Sequence, residues 1–262
     1  MTYPAAVGRR QILCAIGMGL GLGITGASAP ALAGPLDWLV GGQGVAGNGA
    51  IKQQHRAPGK FSGISLHLPA TVELRSGTND DILIETDDNL LPLIDTVVEN
   101  GVLYLRPVKR HQNLRTRTMK MVIQVRELDR IIVGGDGSVA ADLVRSPTLR
   151  CNIDGAGSIA LKRIDTDSLS VNIAGSGDFK ALAGSTGKLA VAISGSGDVE
   201  LDRVTAQDAE VSIAGSGDVR LAVRNTLHGT IAGSGDISYY GDPKLTRSIA
   251  GSGEVHRAGP LR

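Results

Sequence analysis

The stretch Leu169-Ser170-Val171-Asn172-Ile173-Ala174-Gly175-Ser176-Gly177-Asp178-Phe179 decides the fold. Leu169, Val171 and Ile173 alternate with Ser170 and Asn172, the period-two pattern of a half-buried strand. A Gly-Ser-Gly turn follows, and Phe179 lies in a second short strand. The unit recurs along the chain. Gly-x-Gly stands at Gly135-Asp136-Gly137, Gly155-Ala156-Gly157, Gly175-Ser176-Gly177, Gly195-Ser196-Gly197, Gly215-Ser216-Gly217, Gly233-Ser234-Gly235 and Gly251-Ser252-Gly253. The steps are 20, 20, 20, 20, 18 and 18 residues. Two positions before each first glycine stand Val133, Ile153, Ile173, Ile193, Ile213, Ile231 and Ile249. Four positions after it stand Val139, Ile159, Phe179, Val199, Val219, Ile237 and Val255.

A single unit of this kind cannot bury its apolar side, whereas stacked units can, each strand pairing with its copy about 4.8 Å away. The spacing therefore predicts an all-β fold, a parallel β-helix (β-solenoid) of about 20-residue turns over residues 131–256, filled by aliphatic ladders. Glycine at each bend admits positive φ. Cys151 occupies a ladder position held elsewhere by Val or Ile, which predicts a buried, inert thiol. The last two units depart from the pattern: Gly229 and Arg247 stand where Val stood, and Arg257 replaces Leu201 and Leu221. A charged cap over 239–262 is the expected remedy for an exposed end, with 257–262 a terminal tail.

Composition agrees. Glycine is 36 of 262 residues while aromatics are 3%, so the interior is narrow and aliphatic, and 42% hydrophobic residues suffice for a core. A net charge of +1 carries no basic excess of the kind nucleic-acid binding requires, and two cysteines exclude a disulfide framework.

Residues 1–33 read as an export signal: Arg9 and Arg10, an apolar Gly-rich run from Ile12 to Ala27, and Ala31-Leu32-Ala33 as cleavage site. Arg9-Arg10-Gln11-Ile12-Leu13 also fits the twin-arginine pattern, so that route and the general secretory route both stay open, as does an uncleaved anchor. Cleavage leaves 25 basic and 26 acidic groups and no expected membrane span. Residues 34–46 form a Gly-rich linker, and 47–130 a β-rich segment, either a separate sheet or the irregular first turns of the solenoid. Asn100-Gly101 between apolar runs is a hairpin signal, and Asn89-Leu90-Leu91-Pro92 a bend or single helical turn. The basic stretch Lys109–Lys120 reads as a solvated loop or as a small patch for an anionic surface.

The run Gly47-Asn48-Gly49-Ala50-Ile51 with Arg56 and Phe61-Ser62-Gly63-Ile64 resembles the opening of the bacterial DUF2807 family, the putative auto-transporter adhesin, head GIN domain. Asn89-Leu90-Leu91-Pro92, then Val98-Glu99-Asn100-Gly101-Val102-Leu103, resembles its middle, and the Gly-Ser-Gly-Asp-Val units resemble its repeats. The likeness covers about residues 45–256, and departs at Gly135-Asp136-Gly137-Ser138 and Gly155-Ala156-Gly157-Ser158. The resemblance implies an exported right-handed β-helix, similar in shape to pectate lyases, with no established catalytic residues and an adhesin role.

One constellation bears on chemistry. Asp178, Asp198, Asp218, Asp236 and Glu254 follow the turns, and stacking places them about 5 Å apart in a column. Such carboxylates are either bridged by a cation, calcium being the natural candidate, or each closes its own turn on nearby backbone amides. The nine-residue calcium repeat is not matched, and the turn-closing reading is preferred, so no metal or cofactor is expected. His55, His67, His111, His228 and His256 lack metal-ligand spacing. The Gly-Ser-Gly serines are turn residues, not nucleophiles. Lys162-Arg163 with Asp165, and Asp202-Arg203, recur as surface corners. The expectation is an exported, noncatalytic binding or adhesion module of the periplasm or cell surface, with an envelope or extracellular protein or polysaccharide as ligand. A carbohydrate-active β-helix enzyme and a periplasmic scaffold are the alternatives.

Overall fold

The computed structural model describes residues 44–77, 79–110 and 112–261. The expected export signal, most of the linker, and His111 lie outside the described residues. Two strands lead in, β1 (Val45–Ala46) and β2 (Ile51–Arg56). β3 (Gly63–Leu66) and β4 (Thr71–Ser76) make a first coil. An excursion follows through β5 (Ile82–Asp87), β6 (Ile94–Glu99), β7 (Val102–Pro107), β8 (Leu114–Arg115) and β9 (Met119–Val125), with one 3-10 turn at Leu91–Leu93. The repeats supply β10 (Arg130–Gly135), β11 (Ser138–Gly155), β12 (Ser158–Gly175), β13 (Asp178–Ala181), β14 (Gly184–Gly195), β15 (Val199–Gly215) and β16 (Val219–Gly233). The last coil is β17 (Ile237–Tyr240), β18 (Lys244–Gly251) and β19 (Val255–Gly259).

These strands build two parallel walls of one solenoid. The first runs β7, β3, β10, then the C-terminal halves of β11 and β12, then β14, the C-terminal halves of β15 and β16, and β18. The second runs β9, β4, the N-terminal halves of β11 and β12, then β13, the starts of β15 and β16, β17 and β19. Stack order and chain order therefore differ at the start: β3 and β4 lie between β7 and β9 on one side and β10 and β11 on the other. Of the two readings open for the segment before the repeats, the pairing supports irregular first turns. Their apolar residues join the same core, Ile64, Leu66, Val72, Leu74, Leu103, Leu105, Met121 and Ile123 all being buried.

The repeat spacing sets the register. Gly135, Gly155, Gly175, Gly195, Gly215, Gly233 and Gly251 fall in a single column, with Val133, Ile153, Ile173, Ile193, Ile213, Ile231 and Ile249 in the adjacent inward one. Phe179 stacks between Ile159 and Val199, 1% exposed. Burying each such Val, Leu, Ile or Phe contributes about 1.5–3 kcal/mol, so the columns, buried in every coil up to the last, where Ile249 is 38% exposed, are its main source of cohesion. The two-residue shortening of the later units is absorbed at the corner between β15 and β16, where the register slips between Leu201/Thr205 and Ala206/Asp208 and recovers at Asp208↔Thr226. Val204 and Val223 fill that corner, both fully buried.

The ends are treated differently. At the N-terminal end, antiparallel strands cover the walls: β6 pairs with β7, β5 with β9, and β2 with β5. The β6–β7 hairpin turns through Asn100 (φ 53°) and Gly101 (φ 77°), the two left-handed residues of the expected Asn-Gly turn. At the C-terminal end, β18 pairs on one side with β16, and β19 on one side with β17. β19 carries the pairing three residues into the stretch 257–262. Arg247 donates to the Val255 carbonyl at 3.3 Å and Arg257 to the Gly241 carbonyl at 2.6 Å. Charges thus stand in positions that are aliphatic in earlier coils, which disfavours addition of another strand.

Candidate functional site

The turn edge is the most regular feature. Each first glycine of a pair adopts positive φ, 129° at Gly175 and 133° at Gly195. The second glycines do not; their constraint is space. A Cβ on Gly197 would lie 2.2 Å from the Gly177 carbonyl oxygen of the preceding coil, and one on Gly177 would lie 2.4 Å from that of Gly157. Close coil stacking therefore constrains both glycines of each turn from Gly155 onward, a Cβ on Gly195 lying 2.1 Å from the Gly175 carbonyl oxygen, and positive φ constrains the first in addition.

The acidic column is engaged from coil to coil. The Asp218 N–H donates to Asp198 Oδ1 at 2.9 Å, the Asp236 N–H to Asp218 Oδ1 at 3.0 Å, and the Glu254 N–H to Asp236 Oδ1 at 2.8 Å. The first link, Asp198 N–H to Asp178 Oδ1, is longer at 3.4 Å. In the other direction the Val199 and Val219 N–H groups donate to the Asp218 and Asp236 carbonyls at 2.9 Å. Carboxylates thus bond nearby amides as expected, but those of the following coil, not of their own turn. Among the described residues no three His, Cys, Asp or Glu side chains converge in a way that would hold a metal ion.

Alternation sends the other residues of each wall outward. The first wall presents Asn172, Ala192, Ser212, Thr230 and Ser248 in one exposed row and Ala174, Ser194, Ala214, Ala232 and Ala250 in the next, a low-relief face with little charge. The second wall is charged. Lys180 and Arg220 flank Glu200, whose carboxyl is held below its ordinary range chiefly by the Lys180 hydrogen bond. Lys162 pairs with Asp142 at 2.6 Å, and Arg163 with Asp165 at 2.9 Å, each lowering its partner's carboxyl pKa. The basic corner residues named from the sequence are therefore in separate exposed ion pairs, with Arg145 a second, longer partner of Asp165 at 3.6 Å.

A third feature lay unread in the sequence. The Asp87 side chain, nearly inaccessible, accepts from the Gly49 N–H and from Thr116 Oγ1, each at 2.5 Å. The Thr116 hydrogen bond is the largest cause holding this carboxyl below its ordinary pKa, aided by the Gly49 amide. Asn48 bonds Asp88 at 2.6 Å, and Asn89 returns a bond to the Ala46 carbonyl at 2.9 Å. Asp87-Asp88-Asn89 thus clasps the lead-in segment against the solenoid. Arg115 and Arg117, from the basic stretch, line an open cleft of about 710 Å³ beside it. The adjacency of two acids and an amide just before Leu90-Leu91-Pro92 was the available signal.

Cys151 is fully buried, and burial pushes its thiol pKa far up. His67 meets Ser65 at 2.9 Å, His256 meets Ser238 at 3.0 Å and His55 meets Asp81 at 3.3 Å, so these three histidines sit at three different places. No helix among the described residues is long and apolar enough to cross a membrane.

Solved structures share this architecture. A "putative adhesin" from Bacteroides fragilis NCTC 9343 is similar with a TM-score of 0.75 and 24% identity, over 82% of this chain and 100% of that one. One from Parabacteroides merdae ATCC 43184 has a TM-score of 0.67 and 19% identity, over 82% and 98%. A "putative lipid binding protein" from Parabacteroides distasonis ATCC 8503 has a TM-score of 0.63 and 22% identity, over 82% and 100%. At these identities the likeness establishes the fold. No curated protein matches in sequence. The Asn-Gly hairpin and the glycine column from Gly135 to Gly233 fall within the family profile, which matches residues 60–243: the chain belongs to the DUF2807 family, described as the putative auto-transporter adhesin, head GIN domain.

Proposed function

We propose that the chain is an exported, noncatalytic binding module of the bacterial cell envelope, acting in adhesion at the periplasm or cell surface. The observation that carries this reading is the exposed first wall. Its Ala, Ser, Thr and Asn rows continue from coil to coil in unbroken register. Small side chains lose little rotamer entropy when covered, so a rigid face of this kind binds an extended protein or polysaccharide at low ordering cost. The family description and the names of the neighbouring structures support adhesion. Residues 1–33 supply the export signal, with cleavage before Gly34.

The test has two parts. N-terminal sequencing of protein from the envelope fraction should begin at Gly34, and recovery from the cytosol with an intact N-terminus would contradict export. Labelled protein is then applied to arrays of bacterial polysaccharides and extracellular-matrix proteins. Binding should disappear in the Ala192→Lys, Ser212→Lys double variant, which bulks up the face without touching the core; unchanged binding would remove the first wall from the reading.

A further inference from the structure

We propose that the corner beside β4 and β9 is a binding site for a small organic oxyanion, a carboxylate or phosphate carried on a body about the size of one sugar ring. The site follows from a gap in the solenoid. β11 pairs on its far side with β12 around the whole corner. On its near side it pairs with β4 over Ser138–Ala141 and with β10 over Arg150–Gly155. β4 stops at Ser76 and β9 at Val125, so residues 142–149 have a strand on one side only. A strand edge of this kind leaves backbone N–H groups facing the gap.

The gap holds a cavity of about 210 Å³. Its apolar surfaces come from the buried Leu74, Val125, Leu128, Ala141 and Val144 and the half-buried Leu143. Its polar lining residues are Ser76, Arg75, Arg126 and Arg145, with no acidic residue among them. Glu73, Asp142 and Asp165 do not line it, though Glu73 bonds Arg75 at 2.8 Å and Asp165 lies 3.6 Å from Arg145 while bonding Arg163; Asp142 pairs with Lys162. Arg126 has no ion-pair or hydrogen-bond partner among the described residues. Unpaired Arg126, beside Arg75 and Arg145 whose carboxylate partners lie outside the lining, matches an anionic head on a compact body over the apolar floor, and guanidinium groups are the donors best shaped for carboxylate or phosphate oxygens. Drug-sized ligands occupy about 300–1,000 Å³, so this site takes something smaller. The site is distant from the first-wall face in function, and either reading can fail alone.

Isothermal titration of the full chain with D-glucuronate, glycerol 3-phosphate and glucose tests the site. Glucuronate, glycerol 3-phosphate or both should bind with Kd of about 1 mM or tighter and weaken as salt is raised, while glucose, lacking the charge, should not. Preference for glucuronate identifies an acidic sugar as source, and preference for the phosphate ester a phosphorylated one. The Arg126→Gln, Arg145→Gln double variant should lose at least about tenfold in affinity with an unchanged melting temperature, and Arg220→Gln, remote and paired with Glu200, should lose nothing. No heat from either anion at 10-fold the expected Kd, or binding that the double variant leaves intact, would overturn the proposal.

Discussion

The backbone N–H of Asp218 donates to the carboxylate of Asp198 in the preceding coil at 2.9 Å, a side chain standing where a wall strand would offer a carbonyl. The link repeats down the column to Glu254, so the acids act as staples between coils. Removing the acceptor orphans an amide on the half-buried Asp218. Asp198→Ala should therefore destabilise the fold by about 1 kcal/mol, and Asp198→Asn, which keeps an acceptor oxygen, by less, read from urea denaturation with unchanged slope. Because one oxygen of each acceptor is already committed to an amide, millimolar calcium should leave the melting temperature unchanged. A rise of several degrees, reversed by chelator, would show that the column takes up a cation.

The two glycines of a turn predict different outcomes from one elsewhere. Gly197→Ala drives a methyl into a backbone oxygen 2.2 Å away that cannot move without shifting the coil, and should cost about 3 kcal/mol or more. Gly101→Asn places a residue that tolerates left-handed φ in a turn with nothing within 4 Å of the new Cβ, and should cost less than about 1 kcal/mol. Equal melting temperatures for the two variants would contradict close stacking of the turns.

Cys151 sits in an aliphatic column between Ile131 and Val171. Burial keeps it protonated, so it should not react with a thiol reagent in native buffer and should react fully in denaturant. Cys151→Val, of similar size and apolar like its neighbours, should leave stability within about 1 kcal/mol.

Asp87 sets the pH response of the lead-in segment. Its pKa is lowered in the folded protein, so the carboxylate's bonds to Thr116 and Gly49 contribute stability above its ordinary value of 3.8, and that contribution is lost as the pH falls through the lower folded value. Amide exchange at Gly49 should accelerate on acidification below about pH 4, ahead of exchange in the glycine column. Exchange at Gly49 that stayed constant down to global unfolding would contradict this role.

Much of this was legible because one period dominates. Ile173, Ile193 and Ile213 repeat every 20 residues, and a ladder is the arrangement that buries them all. The place of β3 and β4 was not legible. Ile64, Leu66, Val72 and Leu74 alternate, which fixes the side they bury but not the strand they pair with, and here the neighbours come from residues 102–125 and 130–141. The same limit applied to the acids: at twenty-residue spacing, an amide of the own turn and one of the next coil are both close, and local motif rules favour the first. Asp87 was missed because its partners, Gly49 and Thr116, are 38 and 29 residues away. The corner cavity arises from where strands stop, which periodicity does not record.

In-register stacking of the coils underlies the turn geometry, the acidic staples and the outward face alike. It is tested most directly by cross-linking register partners on the first wall in a Cys151→Val background. Asn172 and Ala192 are paired across adjacent coils and point outward, within the roughly 4.4–6.8 Å Cα separation a disulfide spans. The Asn172→Cys, Ala192→Cys variant should oxidise quantitatively to an intramolecular disulfide in the folded state, while Asn172→Cys, Ser212→Cys, two coils apart, should stay reduced. Free thiols in the first variant, or an efficient cross-link in the second, would contradict the stack.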